Sequence, residues 1–235
     1  LVGSEMCIRD RCLVIASLVA SGGAYADNMY LSVSGGLGKV PTINSNRDFP
    51  LLLKSPGIYT TDISSIKLDF KNSKNFAGAV GYQFGNMRAE IGIGTIKANY
   101  GKFKQEGGHY FPADSFKGKI ASNNCFLNGY YGFDYSKMFT PYVGAGVGIS
   151  KTKNTLYHAG MHDYVNGIYT ELPVFKANMG QTLPSYQLIA GTKINLTGQL
   201  ALTADYRFFG TFKEMKALNS RLYNHSVNLG LTFGF

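Results

Sequence analysis

HSVNLGLTFGF, residues 225–235, ends the chain, and the reading of this stretch decides the fold. From Val227 onward the odd positions Val227, Leu229, Leu231, Phe233 and Phe235 are apolar, with Asn228, Gly230, Thr232 and Gly234 between them. A period of two belongs to a β-strand with one greasy face. A terminal strand of a water-soluble domain frays, and an apolar residue at its last position gains little from burial there. The strand therefore asks for an apolar partner outside the protein, and a lipid bilayer is one.

At the other end, CLVIASLVASGGAYAD (residues 12–27) carries an apolar run from Cys12 to Ala20, a Ser-Gly-Gly break, and Ala24-Tyr25-Ala26 before Asp27. That is the apolar region and small-residue cleavage site of a secretory signal peptide. The run is too short to span a bilayer as a helix, which takes about 20 apolar residues. Ahead of it, LVGSEMCIRDR opens without Met and carries Glu5 and Asp10, wrong for a basic leader. Those residues match the translation of a transposase adapter used in sequencing libraries. The expected organisation is adapter-derived residues at 1–11, a truncated signal peptide at 12–26, and one β-barrel domain at 27–235.

The formal charge is +9, and Glu5 and Asp10 balance Arg9 and Arg11, so the whole excess belongs to residues 27–235. In a cytoplasmic chain such a charge would suggest nucleic acid; export argues against that partner. Cys125 alone lies beyond residue 26, which rules out an internal disulfide in the processed chain. Gly and polar residues interrupt every apolar run after residue 26. A chain of this kind enters lipid only as a closed barrel, since helices and closed barrels alone satisfy their own backbone hydrogen bonds there.

The interior repeats the terminal pattern. NMYLSVSGGLGKV alternates through Met29, Leu31, Val33 and Leu37, and NFAGAVGYQF through Phe76, Val80, Tyr82 and Phe84. After a turn at Gly85-Asn86, Met87, Ala89, Ile91 and Ile93 share one face, with Arg88, Glu90, Gly92 and Gly94 on the other. CFLNGYYGFDY and TPYVGAGVGIS make a second hairpin, with Val143, Ala145, Val147 and Ile149 facing out. YQLIAGTKINL, a turn at Thr197-Gly198, and QLALTADYRFFG make a third, with Leu200, Leu202, Ala204, Tyr206 and Phe208 on one face. Together with the first and last strands this predicts an all-β, eight-stranded, antiparallel, up-and-down transmembrane barrel. Short turns fall near Gly85, Ser136 and Gly198, and long segments at 41–74, 103–119, 151–183 and 211–222. Short turns on one side and long loops on the other are the habit of outer-membrane barrels, with both termini on the periplasmic side.

FLNGYYGF, FTPYVGAGVGIS, YQLIAGTKINLTGQLALTADYRFFGT and the terminal Phe235 together resemble the bacterial surface antigen family. These are the major surface proteins of intracellular alphaproteobacteria, related to opacity-type eight-stranded barrels. The likeness runs from about Phe126 to Gly210 and through the last strand. It implies an abundant outer-membrane antigen, with adhesion or pore activity among the activities of the class.

Other motifs carry less. Gly144-Ala145-Gly146-Val147-Gly148 repeats glycine every two residues within a strand pattern, whereas a dinucleotide fingerprint opens a helix. SGGLGKV lacks the Ser or Thr after Lys39 that a phosphate loop needs. No motif calls for a cofactor. His225 and Ser226 are neighbours on a strand and point to opposite faces, so they cannot form a nucleophile–base pair. His158, His162 and Asp163 would meet at a metal only if their loop coiled into a helix.

Arg88, Glu90, Lys193, Asp205 and Arg207 occupy the polar phase of their strands, and buried charges need partners. They are expected to form a luminal network of ion pairs plugging a barrel whose interior is just wide enough for side chains. Lys54, Lys67, Lys71, Lys74, Lys102, Lys104, Lys117, Lys119, Lys151, Lys153 and Lys176 fall in or beside the long segments, where they favour an anionic host glycan or lipid. The apolar run Phe49–Leu53 is expected to pack within the first of those loops. The function expected is that of an outer-membrane surface antigen acting by exposure, adhesion or host contact. The alternative is a small porin or channel. Expected partners are outer-membrane lipid and, through Val227, Leu229, Leu231, Phe233 and Phe235, the barrel assembly machinery.

Overall fold

Alternation becomes strand in the computed structural model, which describes residues 28–45, 65–106, 116–133, 135, 136, 138–158, 161–165, 168–172 and 175–235. The leader segments, the run Phe49–Leu53, Lys54 and Lys137 lie outside the described residues. The strands are β1 (Met29–Lys39), β2 (Ile43–Ser45), β3 (Ser65–Phe70), β4 (Ser73–Phe84), β5 (Met87–Glu106), β6 (Phe116–Gly132), β7 (Phe139–His158), β8 (Met161–Val165), β9 (Ile168–Leu172), β10 (Phe175–Asn195), β11 (Leu200–Thr211) and β12 (Tyr223–Gly234).

Eight of these close into an antiparallel barrel in the order β1-β4-β5-β6-β7-β10-β11-β12, β12 returning to β1 and β5 pairing β6. The last strand meets the first from Tyr30 opposite Gly234 to Lys39 opposite His225. Beyond the barrel, β3 pairs with the far end of β5, β2 extends β3, and β8 and β9 form a separate hairpin. Closure leaves no unpaired edge in the membrane-facing wall, as lipid requires.

The wall is inside out by the standard of water-soluble proteins. Leu229 is 61% exposed while its neighbour Asn228 is 3% exposed, and the same alternation runs the length of β12. Leu31, Val33, Phe76, Ile93, Leu127, Val147 and Leu188 also face outward. Asn124, Gln187, Thr203 and Asp205 are buried inside. Phe235 stays outside the wall, its backbone N–H donating to the Met29 carbonyl at 3.0 Å and its ring edge-to-face on Phe233.

Short turns join the strands at one end. Gly85 sits at φ 61° in the two-residue connection between Phe84 and Met87, a left-handed conformation that L side chains resist. At the Thr197-Gly198 turn the Thr197 hydroxyl accepts from the Leu200 N–H at 2.9 Å. Gly85→Ala should therefore cost about 1–2 kcal/mol in a urea titration of the refolded barrel. Gly198→Ala, where φ is ordinary and space is open, should leave the midpoint unchanged.

At the loop end the strands run further than the alternation suggested. The segments 103–119 and 151–183, read above as loops, contribute the ends of β5, β6, β7 and β10, and Lys117, Lys119, Lys151, Lys153 and Lys176 lie on strands. Lys74 likewise stands on β4. Pairing continues because the backbone hydrogen bonds of the ladder are indifferent to whether lipid or water lies outside. The side chains are not indifferent: Lys97, Lys119 and Lys153 are exposed while Ile96, Ile120 and Leu156 are buried. With no change of phase along the strand, the outer face turns from apolar to polar, and the inner face gains Ile96, Ile120 and Leu156 beside buried Thr152 and Asn154.

Candidate functional site: the lumen and its mouth

In the half of the lumen nearest the short turns, two carboxylates are each held by several donors. Glu90, on β5, accepts from the Tyr30 hydroxyl at 3.2 Å, from Asn128 Nδ2 at 3.1 Å, and from the Tyr130 hydroxyl. Asp205, on β11, accepts from Arg207 Nε at 2.8 Å and Nη2 at 3.1 Å, from the Tyr142 hydroxyl at 3.2 Å, and from Asn228 Nδ2 at 3.1 Å. Gln187 Nε2 donates to Asn128 Oδ1, tying β10 to the Glu90 cluster. Lys193 Nζ reaches Gln83 Oε1 at 3.5 Å at the rim.

Arg88 makes a different kind of contact from the ion pair its position suggested. Its guanidinium carbon lies 4.6 Å from the ring centroids of both Tyr130 and Tyr142 and 5.9 Å from that of Tyr30. A partly desolvated cation over aromatic faces gains about 1–2 kcal/mol per good contact. The three tyrosines thus present their faces to Arg88 and their hydroxyls to Glu90 and Asp205. Opposite charges are linked through the rings. Of the expected luminal charges, Arg207 and Asp205 form a direct ion pair.

Glycines make room for these rings. A β-carbon at Gly81 would strike Tyr30, and one at Gly144 would strike Tyr130. Within the GAGVG repeat Gly144 leaves room for Tyr130, Gly146 for the Asn128 amide, and Gly148 for the Cys125 carbonyl and the Phe126 ring. Tyr30, Tyr130, Tyr142, Asn128, Gln187 and Asn228 were absent from the sequence-based site. Their signal was available: each falls in the luminal phase of its strand.

The loop-end half of the interior holds most of the buried apolar side chains, with Ser122, Thr152 and Asn154 buried among them. Ile96, Tyr100, Ile120, Phe126, Leu156, Leu183 and Phe209 form a buried cluster, which Met215, Ala217, Leu218 and Leu222 complete from above. Those four belong to the connection between β11 and β12, which folds over the mouth as a cap. The Met215 N–H donates to the Ser220 carbonyl at 2.8 Å and the Leu218 N–H to the Met215 carbonyl at 3.1 Å, with Asn219 at φ 47° turning the chain. The Phe212 N–H donates to the Pro184 carbonyl at 3.0 Å and the Lys216 N–H to Gln181 Oε1 at 2.8 Å, fastening the cap to β10. Leu218 is completely buried.

Between cap and charge network a cavity of about 60 Å³ remains, bordered by Ser34, Asn75, Asn124, Asn128, Asn224 and Asn228 among others. Below the network a vestibule of about 570 Å³ opens at the turn end, lined in part by Gln83, Arg88, Lys193 and Asn195. The two spaces lie on opposite sides of the Arg88–tyrosine layer.

His225 and Ser226 face apart, as adjacent strand residues must. His225 Nδ1 is 2.6 Å from the Tyr206 hydroxyl on the outer wall, and Ser226 is buried in the lumen, donating to the Arg207 carbonyl at 3.4 Å. The loop bearing His162 and Asp163 forms the β8–β9 hairpin in place of a helix, so the helical spacing that would gather a metal site does not arise.

Residues 80–235 match the Opacity family of porin proteins. A protein of Rickettsia conorii assigned provisionally as an adhesin is 25% identical over 243 residues, spanning 92% of this chain and 94% of its own. Among solved structures, outer membrane protein OprG of Pseudomonas aeruginosa superposes with a TM-score of 0.51 at 10% identity, covering 90% of this chain and 98% of that one. Neisserial surface protein A gives 0.47 at 16% identity, covering 88% and 97%.

Proposed function

The chain belongs to the Opacity family of porin proteins, and from that premise we propose that it works by contact at the cell surface and not by passing solutes or by catalysis. It is a β-barrel of the bacterial outer membrane. The observation that carries the reading is double occlusion: the lumen is filled by the tyrosine–charge layer at one level and by the capped apolar cluster at another. An eight-stranded interior has room only for side chains, and here they occupy it. Strands that project past the apolar wall then raise the loops into the medium. The likeness to the R. conorii protein provisionally assigned as an adhesin supports attachment as the form of contact.

On this reading the long connections face outward and the short turns face the periplasm. The terminal strand, with Val227, Leu229, Leu231, Phe233 and Phe235 on its lipid face, is the segment the barrel assembly machinery would engage. Anionic host glycans fit the positive loop end. An amine-reactive label applied to intact cells should mark Lys71 and Lys213, both exposed at that end. Display of residues 27–235 on a non-adherent bacterium should confer attachment to host cells, with less attachment as salt rises. Surface labelling without any gain in attachment would reject the contact reading, and steady currents across planar bilayers would favour the porin.

A further inference from the structure

The outward lysines are in register. Lys74 on β4 stands directly opposite Lys97 on β5, Lys97 opposite Ala121 on β6, and Ala121 opposite Lys153 on β7. One step further along, Lys119 on β6 stands opposite Asn99. Like charges directly opposite on a sheet are destabilising, and among the described residues no carboxylate pairs with Lys74, Lys97, Lys119 or Lys153. A row of this kind needs counter-ions from elsewhere.

Its height says where they come from. Phe84 lies at the turn end of β4 and Lys74 ten residues along it, about 34 Å of strand. At a tilt near 45° that is about 24 Å along the membrane normal, close to the ~25 Å apolar band of such barrels. Phe76 and Ile93 are exposed below the row, and the outer face of β5 and β7 turns from apolar Ile93 and Ile149 to lysine at this level. The row is confined to one side. Across the barrel, on β10 to β12, the corresponding outer wall carries the ring cluster of Tyr186, Phe208, Phe212 and Tyr223.

We propose that Lys74, Lys97, Lys119 and Lys153 form a binding site for the phosphate groups of outer-leaflet lipid, whose acyl chains lie down the apolar wall beside Phe76 and Ile93. The occupant is an anionic amphiphile and not a soluble glycan, because the row faces sideways at the lipid boundary and runs straight into the apolar surface. The site does not depend on whether the loops mediate attachment.

The test uses residues 27–235 in an uncharged detergent, with native mass spectrometry and thermal shift as readouts. The probes are diphosphoryl lipid A, phosphatidylcholine, inorganic phosphate and a heparin oligosaccharide. Lipid A should bind far more tightly than phosphatidylcholine or phosphate, and salt should weaken it. The triple variant K74Q/K97Q/K153Q should lose about a hundredfold in lipid A affinity, at about 1 kcal/mol per lysine and tenfold per 1.4 kcal/mol. K213Q/K216Q/R221Q removes the same charge on the cap, away from the row, and should lose much less. Heat-dependent gel mobility checks that each variant is folded. Equal losses in the two triples would reduce the effect to net charge and overturn the site. So would lipid A binding no better than phosphatidylcholine, or heparin binding that falls with the row while lipid A binding does not.

Discussion

Asp205→Ala is expected to lower the unfolding free energy of the barrel by about 3–5 kcal/mol, the range for removing one partner of a buried ion pair. The carboxylate is almost fully enclosed and accepts from Arg207, Tyr142 and Asn228. Its loss leaves the Arg207 guanidinium uncompensated in the lumen and strips an acceptor from a buried tyrosine and a buried amide. The measurement is a urea titration followed by heat-dependent gel mobility in phospholipid vesicles. Lys213→Ala, at an exposed position, should stay within about 0.5 kcal/mol of the parent. A shift for Asp205→Ala as small as that control would mean that Arg207 reaches water and that the layer is not a seal.

Leu218→Ala should cost about 2–5 kcal/mol, as truncation of a fully buried leucine does. It should nevertheless leave the barrel closed in planar bilayers, because the tyrosine–charge layer lies beneath the cap. Replacing residues 213–220 with a short Gly-Ser linker should give the same closed result. Steady currents are expected only when that replacement is combined with Arg88→Ala and Glu90→Ala. They should favour anions, since Lys193 and Arg207 would then outnumber Asp205 on the path. Currents from the parent protein would transfer the function to the porin reading. Currents from the linker variant alone would show the cap to be the sole barrier.

Sequence and structure agree where a single local rule decides. Val227, Leu229, Leu231, Phe233 and Phe235 are exposed on the outer wall because successive strand residues point to opposite sides, and no tertiary information is needed to say so. The same rule placed Arg88, Glu90, Lys193, Asp205 and Arg207 in the lumen and separated His225 from Ser226. It did not say which luminal groups would meet. Arg88 and Asp205 come from β5 and β11, and the tyrosines between them from β1, β6 and β7. Those distances are set by barrel closure and strand stagger.

The loop end shows the limit from another side. Ile96, Ile120 and Leu156 sit in the phase that carries polar residues lower down, and that inversion was present in the sequence. Read for one period alone, it looked like the end of each strand. The cap is a stricter case, since Met215, Leu218 and Leu222 follow no strand alternation and are separated by Lys, Asn and Arg. Only the folded barrel offers them a rim of apolar side chains of the right width. Alternation, being a property of neighbouring residues, was thus enough to determine a membrane barrel and which face of each strand meets lipid. How the interior is filled depended on which side chains closure brings across the lumen, and the tertiary structure alone decided that.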